Sequence, residues 1–284
     1  MTRETRIDKY AVVGNPIVHS KSPDIHRLFA EQTRQSLSYE KLIAPIDGFE
    51  EFALGLRDAG ILGLNVTIPF KIDASKLADD LTARARQAGA VNTLKFDSDT
   101  IVGDNTDGVG FVRDIATRLK FKIEDSAILI LGAGGGVRGL IGSLLEEKPR
   151  WIAVGNRTHG RAQELAEEFG VEAISFDEVP AEHFDIVING TASSLSQDAP
   201  QIDPETFDDC AVAYDLAYNS RPTPFMLLAQ SGGAQKVCDG LGMLIEQAAE
   251  SFYVWRGVRP NTAPVYKELR RRLDSEAEAT ATAR

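Results

Sequence analysis

Short runs of β-branched and aliphatic residues alternate along the chain with longer stretches of helical period, the signature of α/β layers. Residues 10–13 and 39–43 read as strands, with a helix over 23–32 between them. Ser22 before Pro23 suits a helix start, because a serine hydroxyl can cap free N–H groups and proline is tolerated in the first turn. A helix over 49–58 leads to a strand at 62–67. Residues 91–96 and 100–102 form an expected hairpin about Asp97-Ser98-Asp99. Beyond Asp107 the rhythm becomes more regular. Apolar runs at 127–131, 151–154, 171–174, 185–188, 211–215 and 235–237 are strand candidates, and helices over 137–145 and 161–169 separate some of them. Such a series of strands and crossovers predicts one doubly wound parallel sheet. A last helix is expected over 241–255, with Leu241, Leu244, Ile245, Ala248 and Phe252 on one stripe.

Bulk properties narrow the class. A chain of 284 residues can bury a large core in one domain or two smaller ones. A net charge of −11 disfavours a polyanionic partner such as nucleic acid. The one dense basic run, Arg270-Arg271-Arg272, reads as the solvated face of a short terminal helix. Cys210 and Cys238 are too few and too far apart for a disulfide framework or a zinc cluster, and they fit a reducing cytosol. The polar N-terminus leads straight into a strand, so no signal peptide is expected. No apolar run approaches the roughly 20 residues that span a bilayer. A cytoplasmic protein without a membrane partner follows as the expectation. The Ala-, Thr- and Glu-rich residues 275–284 are expected to fray. His19 and His26 have no carboxylate or cysteine to complete a metal site, so no metal is expected. Phe252, Tyr253 and Trp255 read as packing residues.

The glycine-rich segment gives the first functional lead. Residues 127–131 run directly into Gly132-Ala133-Gly134-Gly135-Gly136-Val137, and an amphipathic helix follows. Glycines there let the backbone approach a pyrophosphate, and the helix N-terminus supplies free N–H donors and a partial positive charge. Val137 stands where the dinucleotide fingerprint has its third glycine, so the evidence is the order strand, loop, helix, strand. After the second strand, an NAD-binding unit usually carries an acidic residue for the ribose 2′-hydroxyl. This chain carries Asn156, Arg157, Thr158 and Arg161 instead. Guanidinium and hydroxyl groups suit a 2′-phosphate, which favours NADP over NAD.

Three stretches nearer the N-terminus place short polar side chains beside apolar runs: 14–23, 65–71, and 89–93 with 104–108. Hydroxyls, amides and one Lys–Asp pair are what a small polyhydroxylated carboxylate would need. The motifs Asn15-Pro16 with His19-Ser-Lys-Ser-Pro23, Asn65-Val-Thr-Ile-Pro-Phe-Lys71, Gly89-Ala-Val-Asn-Thr93, Asp104-Asn-Thr-Asp-Gly108, Asn156-Arg-Thr158 and Asp239-Gly-Leu-Gly-Met-Leu244 with Gln247 occur in order over nearly the whole chain. In these the chain closely resembles the shikimate dehydrogenase family.

That resemblance implies a substrate domain made from both chain ends, 1–106 with 241–284, and a Rossmann-type NADP-binding domain over 107–240, with a cleft between them. It implies reversible hydride transfer between NADP and the ring carbon that is a hydroxyl in shikimate and a ketone in 3-dehydroshikimate. Lys71 and Asp107 match the family's catalytic pair. Ser20, Ser22 and Tyr218 match the groups near the substrate carboxylate. Asn65, Thr67, Asn92, Asp107 and Gln247 match those that hold the ring hydroxyls. Cofactor contacts are implied for Gly132, Ala133, Gly134, Gly135, Gly136, Val137, Asn156, Arg157, Thr158, Arg161, Thr191, Leu216, Gly240 and Met243. Gly136 stands where alanine is common, and Asn189-Gly-Thr replaces a commoner Asn-Ala-Thr. The partner is a small molecule, and the assembly a monomer or a homodimer. The alternatives are a quinate/shikimate dehydrogenase with broader substrate or NAD use, and a noncatalytic NADP-binding regulator.

Overall fold

The structure is a computed structural model that describes residues 7–176, 179, 183–191 and 198–282. By contact the chain forms two compact units, Met1–Gly110 with Ile245–Val265, and Phe111–Leu244 with Tyr266–Arg284.

The first unit runs β1 (Asp8–Gly14), α1 (Ser22–Thr33), β2 (Leu37–Ile43), α2 (Phe49–Asp58), β3 (Ile61–Val66), α3 (Lys71–Leu77), β4 (Asp80–Leu81), α4 (Ala83–Ala88), β5 (Thr93–Asp97) and β6 (Thr100–Asp104). Its sheet has the order β2-β1-β3-β5-β6-β4. β1 pairs in parallel with β2 and β3, while β5 runs antiparallel to both of its neighbours, β3 and β6. The expected hairpin is β5–β6, with Asp97 opposite Thr100. One face buries Ala11, Val13, Leu64, Val66 and Leu94 beneath Phe49 and Phe70, whose rings stack 5.1 Å apart. On the other, Trp255 stacks on Tyr10 at 4.7 Å and its indole N–H donates to the Leu94 carbonyl at 3.0 Å. An ideal Cβ on Gly63 would come within 2.5 Å of that indole nitrogen, so glycine is what lets the tryptophan lie against β3.

α5 (Asp107–Thr117) carries the chain into the second unit, which continues with β7 (Ala127–Leu131), α6 (Gly135–Glu146), β8 (Trp151–Gly155), α7 (His159–Phe169), β9 (Glu172–Ile174), β10 (Ile186–Asn189), a 3₁₀ turn at Pro204–Phe207, β11 (Val212–Asp215), α8 (Pro224–Ser231) and β12 (Lys236–Cys238). α9 (Leu241–Arg256) returns to the first unit and α10 (Thr262–Thr282) ends the description. All strands of the second sheet are parallel, in the order β12-β11-β10-β7-β8-β9. This is the doubly wound order, with its switch point between β7 and β10. Every residue of β7 is buried, because helices cover both faces and leave no polar side for alternation.

Four expectations need correction. Ser22 is not a helix cap: Lys21 holds that place, and the Ser22 hydroxyl accepts from Ser20 Oγ at 3.1 Å instead. α6 begins at Gly135, because the glycines themselves form its first turn. Residues 275–282 are not irregular: α10 is one helix of 21 residues that runs through them to Thr282. Most of α10 also groups with the second unit, not with the first as the expected span 241–284 had it. The reason is local. The Arg118 guanidinium lies 4.7 Å over the Tyr266 ring, and Arg270 donates to Asp239 at 2.5 Å. Within the basic run, Arg270 makes that reach, while Arg271 and Arg272 pair with Glu268 on their own helix.

Candidate active site

Lys71 opens α3 immediately after the Ile68–Phe70 turn, and Asp107 opens α5 after the two-residue link Asn105-Thr106 that follows β6. Backbone pairing brings the two helix starts together, since Val91 N donates to the Lys71 carbonyl at 2.9 Å and Asn92 N to that of Asp104 at 3.0 Å. Lys71 Nζ lies 2.5 Å from Asp107 Oδ2, with side chains 18% and 8% exposed. The ammonium therefore reaches solvent while its counterion is nearly enclosed. Asp107 is held on every side: Asn92 Nδ2 donates to its Oδ1 at 2.9 Å, and its backbone N–H donates to Asn105 Oδ1 at 3.1 Å.

Asn92 is the hub of a buried polar network. Its Oδ1 accepts from Thr106 N at 2.9 Å and from Thr93 Oγ1 at 2.9 Å. Its Nδ2 has three acceptors in reach for two hydrogens: Asp107 Oδ1, Thr106 Oγ1 at 2.9 Å and Gln247 Oε1 at 3.3 Å. Gln247 arrives on α9, which crosses α5 so closely that an ideal Cβ on Gly110 would sit 2.6 Å from Gln247 N. Asn65, at the end of β3, bridges outward. Its Oδ1 accepts from the Tyr39 hydroxyl at 2.7 Å, and its Nδ2 donates to Ser251 Oγ at 2.9 Å and Thr93 Oγ1 at 3.1 Å. Burial pushes the Tyr39 phenol well above its ordinary range, so it stays a donor to Asn65. Beneath it, the His26 ring stacks on Tyr39 at 4.1 Å and 6°. Burial lowers the His26 imidazole to about 3, which keeps it neutral and adds no charge under the polar network. His26 is thus a packing residue. Ser20 and Ser22 form their hydroxyl pair at the start of α1, and Thr67 sits at the β3 exit, where its N–H donates to the Val13 carbonyl at 2.9 Å.

The second unit holds the other group of candidates. Gly132 adopts φ +103°, which only glycine takes without strain, and its N–H donates to the Gly155 carbonyl at 2.7 Å. Gly134, Gly135 and Gly136 are exposed at the N-terminus of α6, with no protein atom within 4 Å of where a Cβ would stand. That open cradle beside uncapped helix N–H groups fits a dinucleotide pyrophosphate. At the end of β8, Asn156 Nδ2 donates to the Thr158 carbonyl at 2.9 Å, shaping the turn into α7. Arg157, Thr158 and Arg161 are exposed, and neither arginine has an acidic partner among the described residues. Two uncommitted guanidinium groups fit a ribose 2′-phosphate. Thr191 Oγ1 donates to Asn189 Oδ1 at 2.7 Å, Gly240 presses on the Leu216 carbonyl, and Met243 N donates to the Tyr214 hydroxyl at 3.1 Å. Tyr218 is half-buried in the loop after β11, in this same unit.

Comparison with known proteins decides the family. The description "Shikimate dehydrogenase substrate binding domain" matches residues 12–94, "Shikimate / quinate 5-dehydrogenase" matches 114–204, and "Shikimate 5'-dehydrogenase C-terminal domain" matches 240–270. A relative named shikimate dehydrogenase (NADP(+)), from Janthinobacterium sp. (strain Marseille), is 54% identical over 277 residues, 95% of this chain and 99% of its own. The chain belongs to the shikimate dehydrogenase family. Among solved structures, an Ael1 enzyme from Pseudomonas putida is 42% identical with a TM-score of 0.88, covering 92% of this chain and 98% of that one. The shikimate 5-dehydrogenase of Thermus thermophilus, solved with NADP(H) and shikimate, is 33% identical with a TM-score of 0.85, covering 94% and 100%.

Within this family member the structure adds residues to the site that sequence reading missed. Tyr39, Thr93, Thr106 and Ser251 complete the network of Asn65 and Asn92. Ser251 could have been found: it lies four residues after Gln247 on one helix and so on the same face. A second network was also missed. Arg84 binds Asp104 through Nε at 2.7 Å and Glu250 through Nη1 at 3.1 Å, while Arg259 takes the other Glu250 oxygen at 2.7 Å. It anchors β6, and with it the loop that ends in Asp107, to α9. Of the Asn189–Ser194 loop, residues 192–194 lie outside the described residues.

Proposed function

We propose that the protein catalyses the reversible, NADP-dependent interconversion of 3-dehydroshikimate and shikimate. The observation that carries this reading is the Lys71–Asp107 pair, set at 2.5 Å beside amides and hydroxyls that can each bind a ring hydroxyl. When bound, NADPH supplies the hydride for the ketone carbon. The oxygen left behind develops negative charge and needs a proton and a cation beside it. Lys71 Nζ provides both, and Asp107 holds that nitrogen in place. In the reverse direction the same pair removes the hydroxyl proton. Of the Asn92 contacts, the 3.3 Å bond to Gln247 is the longest, so it is the one a ring hydroxyl replaces. The Ser20 and Ser22 hydroxyls receive the substrate carboxylate. Gly134–Gly136 take the pyrophosphate, and Arg157, Thr158 and Arg161 take the 2′-phosphate.

The remaining features fit a soluble enzyme of the cytoplasm whose partner is this small substrate. No helix of the described residues is long and apolar enough to cross a membrane. Burial raises Cys210 to about 11 and Cys238 to about 12, so both thiols are unreactive.

An absorbance assay at the nicotinamide band, pairing shikimate or quinate with NADP or NAD, tests the reading. Turnover is expected with shikimate and NADP; equal or faster turnover of quinate with NAD would overturn it in favour of the quinate branch.

A further inference from the structure

In a dinucleotide fingerprint the third glycine lets the first helix pack closely on the neighbouring strand. This chain has Val137 at that position, fully buried, yet α6 still packs against the sheet. Space for the valine comes from the facing side. An ideal Cβ on Gly190, the residue after β10, would overlap Val137 Cγ2 and lie 3.2 Å from Leu216 Cδ1. Neither partner can yield. A valine in a helix is confined to essentially one χ1 rotamer. The Gly190 backbone is pinned by its own N–H to the Leu131 carbonyl at 2.8 Å, by Asn189 Nδ2 to Asp215 Oδ1 at 3.2 Å, and by Gly132, whose Cβ position lies 2.9 Å from the Gly190 carbonyl carbon and oxygen.

We infer that Val137 and Gly190 form one volume-matched pair that positions the N-terminus of α6 for the cofactor, with Gly190 in the role of the missing third glycine. This inference rests on the proposed use of NADP. Gly190 has no left-handed φ, so alanine there meets no backbone penalty and its effect is purely one of space. A change at either residue reaches Gly134–Gly136 directly, because Val137 follows them in the first turns of α6.

The test is a mutant cycle read by NADPH binding and by steady-state kinetics. Gly190→Ala is expected to raise the Kd for NADPH and the KM for NADP by about tenfold, a typical consequence of overpacking a close contact. The KM for shikimate should stay within about twofold, since Lys71, Asn92, Asp107 and Gln247 lie in the other unit; a general loss of structure would move both constants. Val137→Ala alone removes a buried side chain without creating a clash, so it should weaken NADPH binding by less than Gly190→Ala does. Val137→Ala/Gly190→Ala should recover the wild-type Kd to within about twofold. If Gly190→Ala yields no folded protein, the double variant must restore both folding and binding. A Gly190→Ala protein that binds NADPH normally, or a double variant as weak or as poorly folded as the single one, overturns the pairing. Wild-type protein that binds no NADPH would instead defeat the cofactor reading itself.

Discussion

Lys71→Met lowers kcat for shikimate oxidation by about 10²–10⁴-fold, the usual contribution of a positioned acid–base group, while the Kd for NADPH stays close to wild type. The separation follows from the architecture. Lys71 lies in the first unit, and the glycine cradle and the arginines at the end of β8 lie in the second. Methionine keeps the length of the side chain but removes the proton and the charge. It also leaves Asp107, 8% exposed, without its cation. Breaking an enclosed pair by deleting one member destabilises the fold, so thermal melting should accompany the kinetics. Asp107→Asn should give a loss of the same order, and the double variant little more than either single one, because the two residues act as a unit. A Lys71→Met protein that kept more than about a tenth of wild-type kcat would remove lysine from its assigned role.

The second large effect concerns the cofactor. Arg157→Ala/Arg161→Ala should lower kcat/KM for NADP by about 10²-fold and leave the far weaker activity with NAD within about twofold. Each guanidinium lost removes a charge-assisted hydrogen bond worth about 1.5–3 kcal/mol, and the lower figure taken twice already reaches that factor. Both arginines are exposed and no acidic partner among the described residues is stranded by their removal, so folding stability should hold. The decisive quantity is the ratio of the two cofactors: an equal fall for NADP and NAD would mean that these side chains do not read the 2′-phosphate.

How much of this was legible beforehand follows from the range of each interaction. The parallel second sheet announced itself through short buried runs at regular spacing, because strands covered on both faces need no alternation. The glycine loop, Arg157 and Thr158 were likewise local signals. Lys71, Asn92 and Asp107 were visible as motif residues, but their meeting depends on β3 pairing with β5 and β5 with β6. Ser251 was legible only through its helical spacing from Gln247, since its partner Asn65 lies 186 residues away. Ser22 shows the opposite failure. A sound local rule made it a cap, and a neighbouring hydroxyl took its side chain instead. Val137 looked like a flaw in the fingerprint until Gly190 was found opposite it. The resemblance put residues 241–284 in one domain, whereas by contact Tyr266 onward groups with the second unit.

The central claim is that this chain moves a hydride between NADPH and the ketone carbon of 3-dehydroshikimate. The most direct test reduces 3-dehydroshikimate with NADPH that carries deuterium at both positions of nicotinamide C4 and examines the product by mass spectrometry and proton NMR. The account predicts shikimate with a single deuterium, on the carbon that had been the ketone. Shikimate formed without the label, or no shikimate formed at all, would contradict it.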